Sequence, residues 1–279
     1  MKYSKIRNRI HDFCGGSKWR RIFIYHFVGY LFVRSWHLKR AIGAWARKAP
    51  TRPLHILEVG GGLGQWPYYL TRINKFWNVI SVDDDLQTVS ENNAFFHKLG
   101  VSKAVFLHQE LTEYKNEGAF DMALLVDVIQ CYESTPDLLE CVYNKLRPGG
   151  NVILTTFTKT KGRSFVQLHN TEQEEEIYCK DGFGMKDLKK QMKLQGFRRI
   201  KAHYFMGTYG LLSWRIGFQF PMAATRTSFG LLFFYLLPFY YLIALPLCGI
   251  LNFLDSHMAN PDGVGLIVTG EKKQDGDEC

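Results

Sequence analysis

The chain has 279 residues, 46% hydrophobic and 15% aromatic, with a net charge of +9. That is enough for one ample α/β domain carrying an insertion, and too apolar for an intrinsically disordered chain. The charge is unevenly spread, because residues 1–50 hold twelve Lys and Arg against a single acid, Asp12, and the remainder is slightly acidic.

A basic segment of this kind suits nucleic acid or an anionic membrane surface. The stretch KWRRIFIYHFVGYLFVRSWHLKRAIGAWARK (18–48) interleaves aromatic and basic residues at roughly helical spacing, as interfacial helices do, and it contains no nucleic-acid-binding module. The membrane surface is therefore the expected partner, and nucleic acid is not. The six cysteines, at 14, 131, 141, 179, 248 and 279, form no CxxC pair and read as reduced cytosolic thiols, with no metal site. The N-terminus has no apolar core of a secretory leader.

From residue 54 onward, strands and helices alternate. LHILEVG (54–60) is an apolar run ending in glycine, hence a buried strand, and QWPYYLTRI (65–73) follows as a helix. NVISVDD (78–84) is a strand, and LQTVSENNAFFHKLG (86–100) is a helix closed by Gly100. AVFLHQE (104–110) and FDMALLVDVI (120–129) are strands. TPDLLECVYNKL (135–146) is a helix, and NVILTTF (151–157) is a strand after the RPGG turn. Short connections between alternating elements predict a parallel, doubly wound sheet with helices on both faces. The expected organisation is a helical arm over 1–50, a core over 51–205, an insertion over 206–260, and a last strand with a polar tail over 261–279.

In such a sheet the loop after the first strand faces the ligand. A dinucleotide fingerprint would need glycine or alanine at 65 or 67, where Gln65 and Pro67 stand, so an NAD-dependent oxidoreductase is disfavoured. The pattern E-x-G-x-G-x-G is met by Glu58, Gly60, Gly62 and Gly64. It resembles motif I of the class I S-adenosylmethionine (SAM)-dependent methyltransferases. Four more landmarks follow in order: Asp83 in VDDD, Glu110 and Leu111 in HQELTEY, FDMALLVDVIQCYE, and KLRPGGNVILTTF.

The resemblance implies a Rossmann-like seven-stranded sheet, completed by a helix over 184–197, a strand over 199–205 and a last strand over 263–272 that inserts antiparallel, with SAM as cofactor. It implies Glu58 and the three glycines at the methionine end, Asp83 and Asp84 at the ribose, Glu110 and Leu111 at the adenine, and Asp127 beside the cofactor. Read from the residues alone, one of Asp84 and Asp85 caps the following helix, Asp121 has a structural role at a strand start, and Asp127 either contacts SAM or braces its loop.

The loop at 162–178 follows the fifth strand, where acceptor sites are usually built. It offers His169 as a candidate base, with Glu172 and Tyr178 as weaker ones. No N/D-P-P-Y/W/F tetrapeptide follows the fourth strand, which speaks against nucleic-acid amines as acceptors. The stretch from Thr227 to Leu254 carries no charge and is long enough for a bilayer. Pro238 and Pro246 favour two short broken helices, and the need to return GVGLIVTG to the sheet opposes a single crossing. The insertion is then a membrane-dipping element, a lid, a core helix pair or a dimer surface.

The function expected is O- or C-methylation of a small, hydrophobic or lipid-like acceptor at a membrane, in the manner of bacterial small-molecule enzymes. A soluble acceptor, or a non-catalytic SAM-fold subunit that docks a partner, is the alternative.

Overall fold

The computed structural model describes residues 16–159, 161, 182–225 and 230–274. The loop at 162–178, with His169, Glu172 and Tyr178, lies outside them, as do Cys14, Cys179 and Cys279.

The expected strands all form: β1 (His55–Val59), β2 (Asn78–Asp83), β3 (Ala104–His108), β4 (Phe120–Val126), β5 (Leu146–Phe157), β6 (Phe197–Phe205) and β7 (Gly265–Lys272). They build one sheet in the order β3-β2-β1-β4-β5-β7-β6. Strands β1 to β5 pair in parallel, and β7 runs antiparallel to both β5 and β6. The reversal of strand order between β2-β1 and β4 opens a crevice at the carboxyl ends of β1 and β4, where a doubly wound sheet takes its ligand.

Two apolar layers sandwich the sheet. Helices α1 (Lys18–Leu31), α2 (Val33–Ala46), α3 (Gln65–Ile73) and α4 (Leu86–Lys98) cover one face, packing Leu38, Ile42, Leu70 and Phe96 on Ile56, Val79, Phe106 and Met122. Helices α5 (Thr135–Lys145) and α6 (Met185–Leu194) cover the other, with Leu139, Val142 and Leu188 on Leu57, Leu125 and Leu154. Leu38 and Ile42 are fully buried, so the second half of the basic arm belongs to the sheet's covering layer.

The insertion differs from its expected form. Beyond α7 (Thr208–Trp214), a π-helical turn at Arg215–Gln219 and α8 (Phe220–Thr225), one continuous helix, α9, runs from Gly230 to His257 through both prolines. Proline removes a backbone donor and crowds the preceding turn. Here Pro238 and Pro246 are both exposed on the unpacked side, where bending displaces no neighbour. The packed side, with Ala244, Cys248, Leu251, Asn252 and Asp255 buried, holds the helix in register.

That packed side joins the insertion to the arm. Asn252 Nδ2 donates to the carbonyls of Tyr30 and Leu31 at 2.9 and 3.0 Å, and Tyr30 donates to Leu245 O at 3.1 Å. Tyr240 and Tyr241 donate to Ile216 O and Gly217 O across the π-helical turn, at 2.6 and 2.8 Å. His37 of α2 and Asp255 of α9 form a fully buried pair at 2.9 Å, and Asp255 also accepts from the N–H groups of Met206, Gly207 and Gly210. Burial opposes the charge on Asp255, but these donors and His37 outweigh it and hold its carboxyl below the ordinary range.

Candidate active site

The glycine loop leaves β1 through three left-handed backbones, with φ of 79° at Gly60, 47° at Gly62 and 73° at Gly64. Such conformations strain any residue with a side chain. The positions differ in what surrounds them. A Cβ on Gly60 would lie 2.6 Å from Val128 Cγ2, and one on Gly64 would press on Asn92 and Phe96 at 3.1 Å, so both are also demanded by packing. A Cβ on Gly62 would meet nothing within 4 Å, which leaves the space beside its Cα open to an incoming group.

Buried carboxyls surround this loop. Glu58, on β1, is 2% exposed and accepts from Ser81 Oγ at 2.6 Å, across the β1–β2 pairing that sets the two residues side by side. Burial pushes its carboxyl well above the ordinary range, against the Ser81 hydrogen bond, and the charge of Asp83 pushes the same way. Asp83 closes β2, is 4% exposed, and accepts from Gly62 N at 3.3 Å and Asp85 N at 3.0 Å. Asp85 is the α4 cap, accepting from Gln87 N and Thr88 N, and Asp84 is exposed beside it. Glu110 is exposed and Leu111 buried just beyond β3. Tyr132 stands among these acids: burial raises its hydroxyl pKa, and Asp84, Glu110 and Asp83 add to the shift.

Asp127 lies at the end of β4 with φ of 53°, rare for a residue with a side chain. Its carboxylate is engaged on both oxygens, by Thr155 Oγ1 at 2.7 Å and by the Arg34 guanidinium in an ion pair. The structure therefore gives Asp127 a bracing contact. Asp121, near the start of β4, binds Arg52, Arg147 and the backbone N–H of His55, the structural role expected of it.

Sequence reasoning missed the groups that fix the loop from outside. Arg21 and Tyr25 of α1 both donate to Leu63 O, and Asn92 of α4 donates to Gly62 O at 3.0 Å. Arg21 also donates to Asn92 Oδ1, and its guanidinium lies 4.2 Å from the Phe95 ring centroid. Arg34, in the basic arm, was invisible for the same reason: nothing local in the sequence marks its distant partner.

The crevice thus offers open space over the Gly62 Cα, two buried carboxyls that a cationic group would relieve, and acids at the ends of β2 and β3 suited to hydroxyls and an amine. Those features fit SAM, a cation with a ribose and an adenine. They do not fit a diphosphate, which the carboxylates would repel. When bound, SAM supplies an electrophilic methyl on sulfur.

Comparison with known proteins agrees. The methyltransferase-domain family model matches residues 34–202, more than half of the chain. No curated protein sequence matches. Among solved structures, the chain resembles phosphoethanolamine N-methyltransferase 2 of Haemonchus contortus in complex with SAM. The identity is 17% and the TM-score 0.57, with 95% of this chain and 60% of that one covered. It also resembles a SAM-dependent methyltransferase of Thermotoga maritima (15%, TM-score 0.52, 95% and 99% covered) and the CurJ carbon methyltransferase (15%, 0.51, 81% and 50%). The sheet order, the antiparallel β7 and the matched residues lead to one conclusion: this chain is a class I SAM-dependent methyltransferase.

Proposed function

We propose that the enzyme methylates a hydrophobic, lipid-like acceptor, on oxygen or carbon, at the surface of a membrane. In this reading Glu58, Gly60, Gly62 and Gly64 receive the methionine end of SAM. Asp83 and Asp84 hold the ribose, Glu110 and Leu111 face the adenine, and Asp127 braces the crevice wall. His169 is proposed as the base for a hydroxyl acceptor.

The observation that carries the membrane reading is the outer face of α9. Residues Phe233–His257 have a mean hydropathy of 1.9, yet only 22% of the apolar window is buried within the protein. Tyr235, Phe239, Leu242 and Ile243 are 69–75% exposed along one side. A core helix would be mostly buried, and soluble monomers seldom show such a patch. The patch continues onto α1 through a ladder of rings, Phe23–Phe27 and Phe27–Tyr241, each 5.6 Å between centroids. Exposed Trp19 and Phe23 stand there beside exposed Lys18 and Arg20, a combination suited to anionic headgroups.

Because Asp255 ties the end of α9 to the core and β7 follows directly, the helix is read as lying along one leaflet rather than crossing. The enzyme is then monotopic, on the cytoplasmic side.

The test is to incubate the purified protein with methyl-deuterated SAM and a total membrane lipid extract. Mass spectrometry should find the label in a chloroform-soluble species. Label found only in water-soluble extract would refute the lipid-like acceptor.

A further inference from the structure

Helix α1 carries two different surfaces. Trp19 and Phe23 are 71% and 58% exposed on one side. Arg21 and Tyr25 each stand two positions further along, about 200° around the helix axis, and are buried on the other side. The outer side belongs to the face read above as meeting the membrane. The inner side holds the glycine loop. Arg21 Nη2 donates to Leu63 O at 2.6 Å, its Nε donates to Tyr25 Oη at 2.7 Å, and Tyr25 Oη donates to Leu63 O. Tyr25 O accepts from Gln65 Nε2 at 3.2 Å. Arg21 also donates to Asn92, whose amide in turn donates to Gly62 O at 3.0 Å. Residues 62, 63 and 65 are thus tied to one helix.

Left to water, the start of that helix is poorly held. Ser17, its N-cap residue, makes no side-chain cap bond, and the first turn contains Lys18, Arg20 and Arg21 with no acid. Cations at the positive end of the helix dipole oppose its formation. An anionic surface reverses that balance, because headgroups neutralise the cations while Trp19 and Phe23 enter the interface. We propose that an anionic bilayer activates cofactor binding, with α1 as the coupling element. Docking of the outer side consolidates the first turn, and the consolidated helix holds the glycine loop in its cofactor-receiving shape. The Phe27–Tyr241 ring contact keeps α1 beside α9, so the apolar face of the insertion delivers the helix to the headgroups. Linkage makes the effect reciprocal: the cofactor strengthens membrane binding by the same factor.

The inference rests on the membrane reading and the cofactor placement proposed above. Calorimetry should show S-adenosylhomocysteine binding at least about fivefold tighter on vesicles of phosphatidylcholine and phosphatidylglycerol than in buffer, the lower end of ordinary coupling. S-adenosylhomocysteine should raise the flotation partition coefficient equally. Replacing both Trp19 and Phe23 with serine should bring the ratio of the two affinities close to one, while α9 keeps the variant on the vesicles. Arg21→Met should lower the ratio from the inner side, and Tyr25→Phe, which removes one donor to Leu63 O, serves if that variant does not fold. A wild type that floats with unchanged affinity, or an inner-side variant that keeps the full effect, overturns the coupling and leaves the membrane reading standing. A wild type that does not float overturns both, and one that binds no S-adenosylhomocysteine in either condition overturns the cofactor placement and the coupling with it.

Discussion

Replacing both Leu242 and Ile243 with aspartate should detach the enzyme from membranes without unfolding it. Each side chain is 75% exposed on the outer face of α9, so neither holds the fold together, and the stability cost in water should stay within about 1 kcal/mol for the pair. In a bilayer the same side chains contribute. A fully buried Leu or Ile is worth roughly 1.5–3 kcal/mol, and three quarters of that is about 1–2 kcal/mol each. Losing both, and placing two carboxylates in the leaflet, should lower partitioning by at least about 2–4 kcal/mol, or some 30- to 1000-fold. Flotation with vesicles of phosphatidylcholine and phosphatidylglycerol, at low and high salt, reads this directly. The wild type should rise in both salts, because apolar insertion is not screened, and the variant should stay at the bottom in high salt. A wild type that never floats refutes the membrane face. A wild type that is dimeric by light scattering, with a monomeric variant, assigns the face to a second copy instead.

The glycine loop gives a paired prediction. Gly62→Arg should abolish S-adenosylhomocysteine binding at nearly normal thermal stability, whereas Gly60→Ala should destabilise by about 2 kcal/mol or more, since its Cβ would meet Val128. Glu58→Gln should flatten a stability slope. The native carboxyl has a raised pKa, so the folded state binds more protons than the unfolded state as pH rises above the ordinary carboxylate value of 4.5. Wild-type stability should fall over that interval and the variant's should not, as read by denaturant titration at several pH values. Asp255→Ala should cost about 3–5 kcal/mol, because it leaves His37 and three backbone N–H groups without their partner. The stability that Asp255 supplies is present above its unfolded pKa and should be lost in the wild type as pH falls through its lowered native value.

Much of this enzyme could be read from its sequence. The strand runs, the Glu58-to-Gly64 spacing and the acids after β2 and β3 are local patterns. Period-2 and period-3.6 apolar spacing and side-chain-free turns act within a few residues, so a single stretch carries its own evidence. The antiparallel β7 was legible only through resemblance, because nothing in GVGLIVTGEK states its partner.

What tertiary structure decided is of another kind. Arg34 meets Asp127, Arg21 meets Leu63, and His37 meets Asp255 across 218 residues, and no local signal marks any of these pairs. The packed side of α9 was equally hidden, because the helix is apolar on every side and therefore shows no amphipathic stripe. That side falls where Ala244, Cys248 and Gly249 leave room for α1 and α7 to approach, with Gly249 directly against the Tyr30 hydroxyl. The opposite side is just as apolar and, among the described residues, exposed. Proline penalties alone would break α9 in two. Packing along one uninterrupted side keeps it whole, since the energy of a buried helix face outweighs two lost backbone bonds on the exposed one.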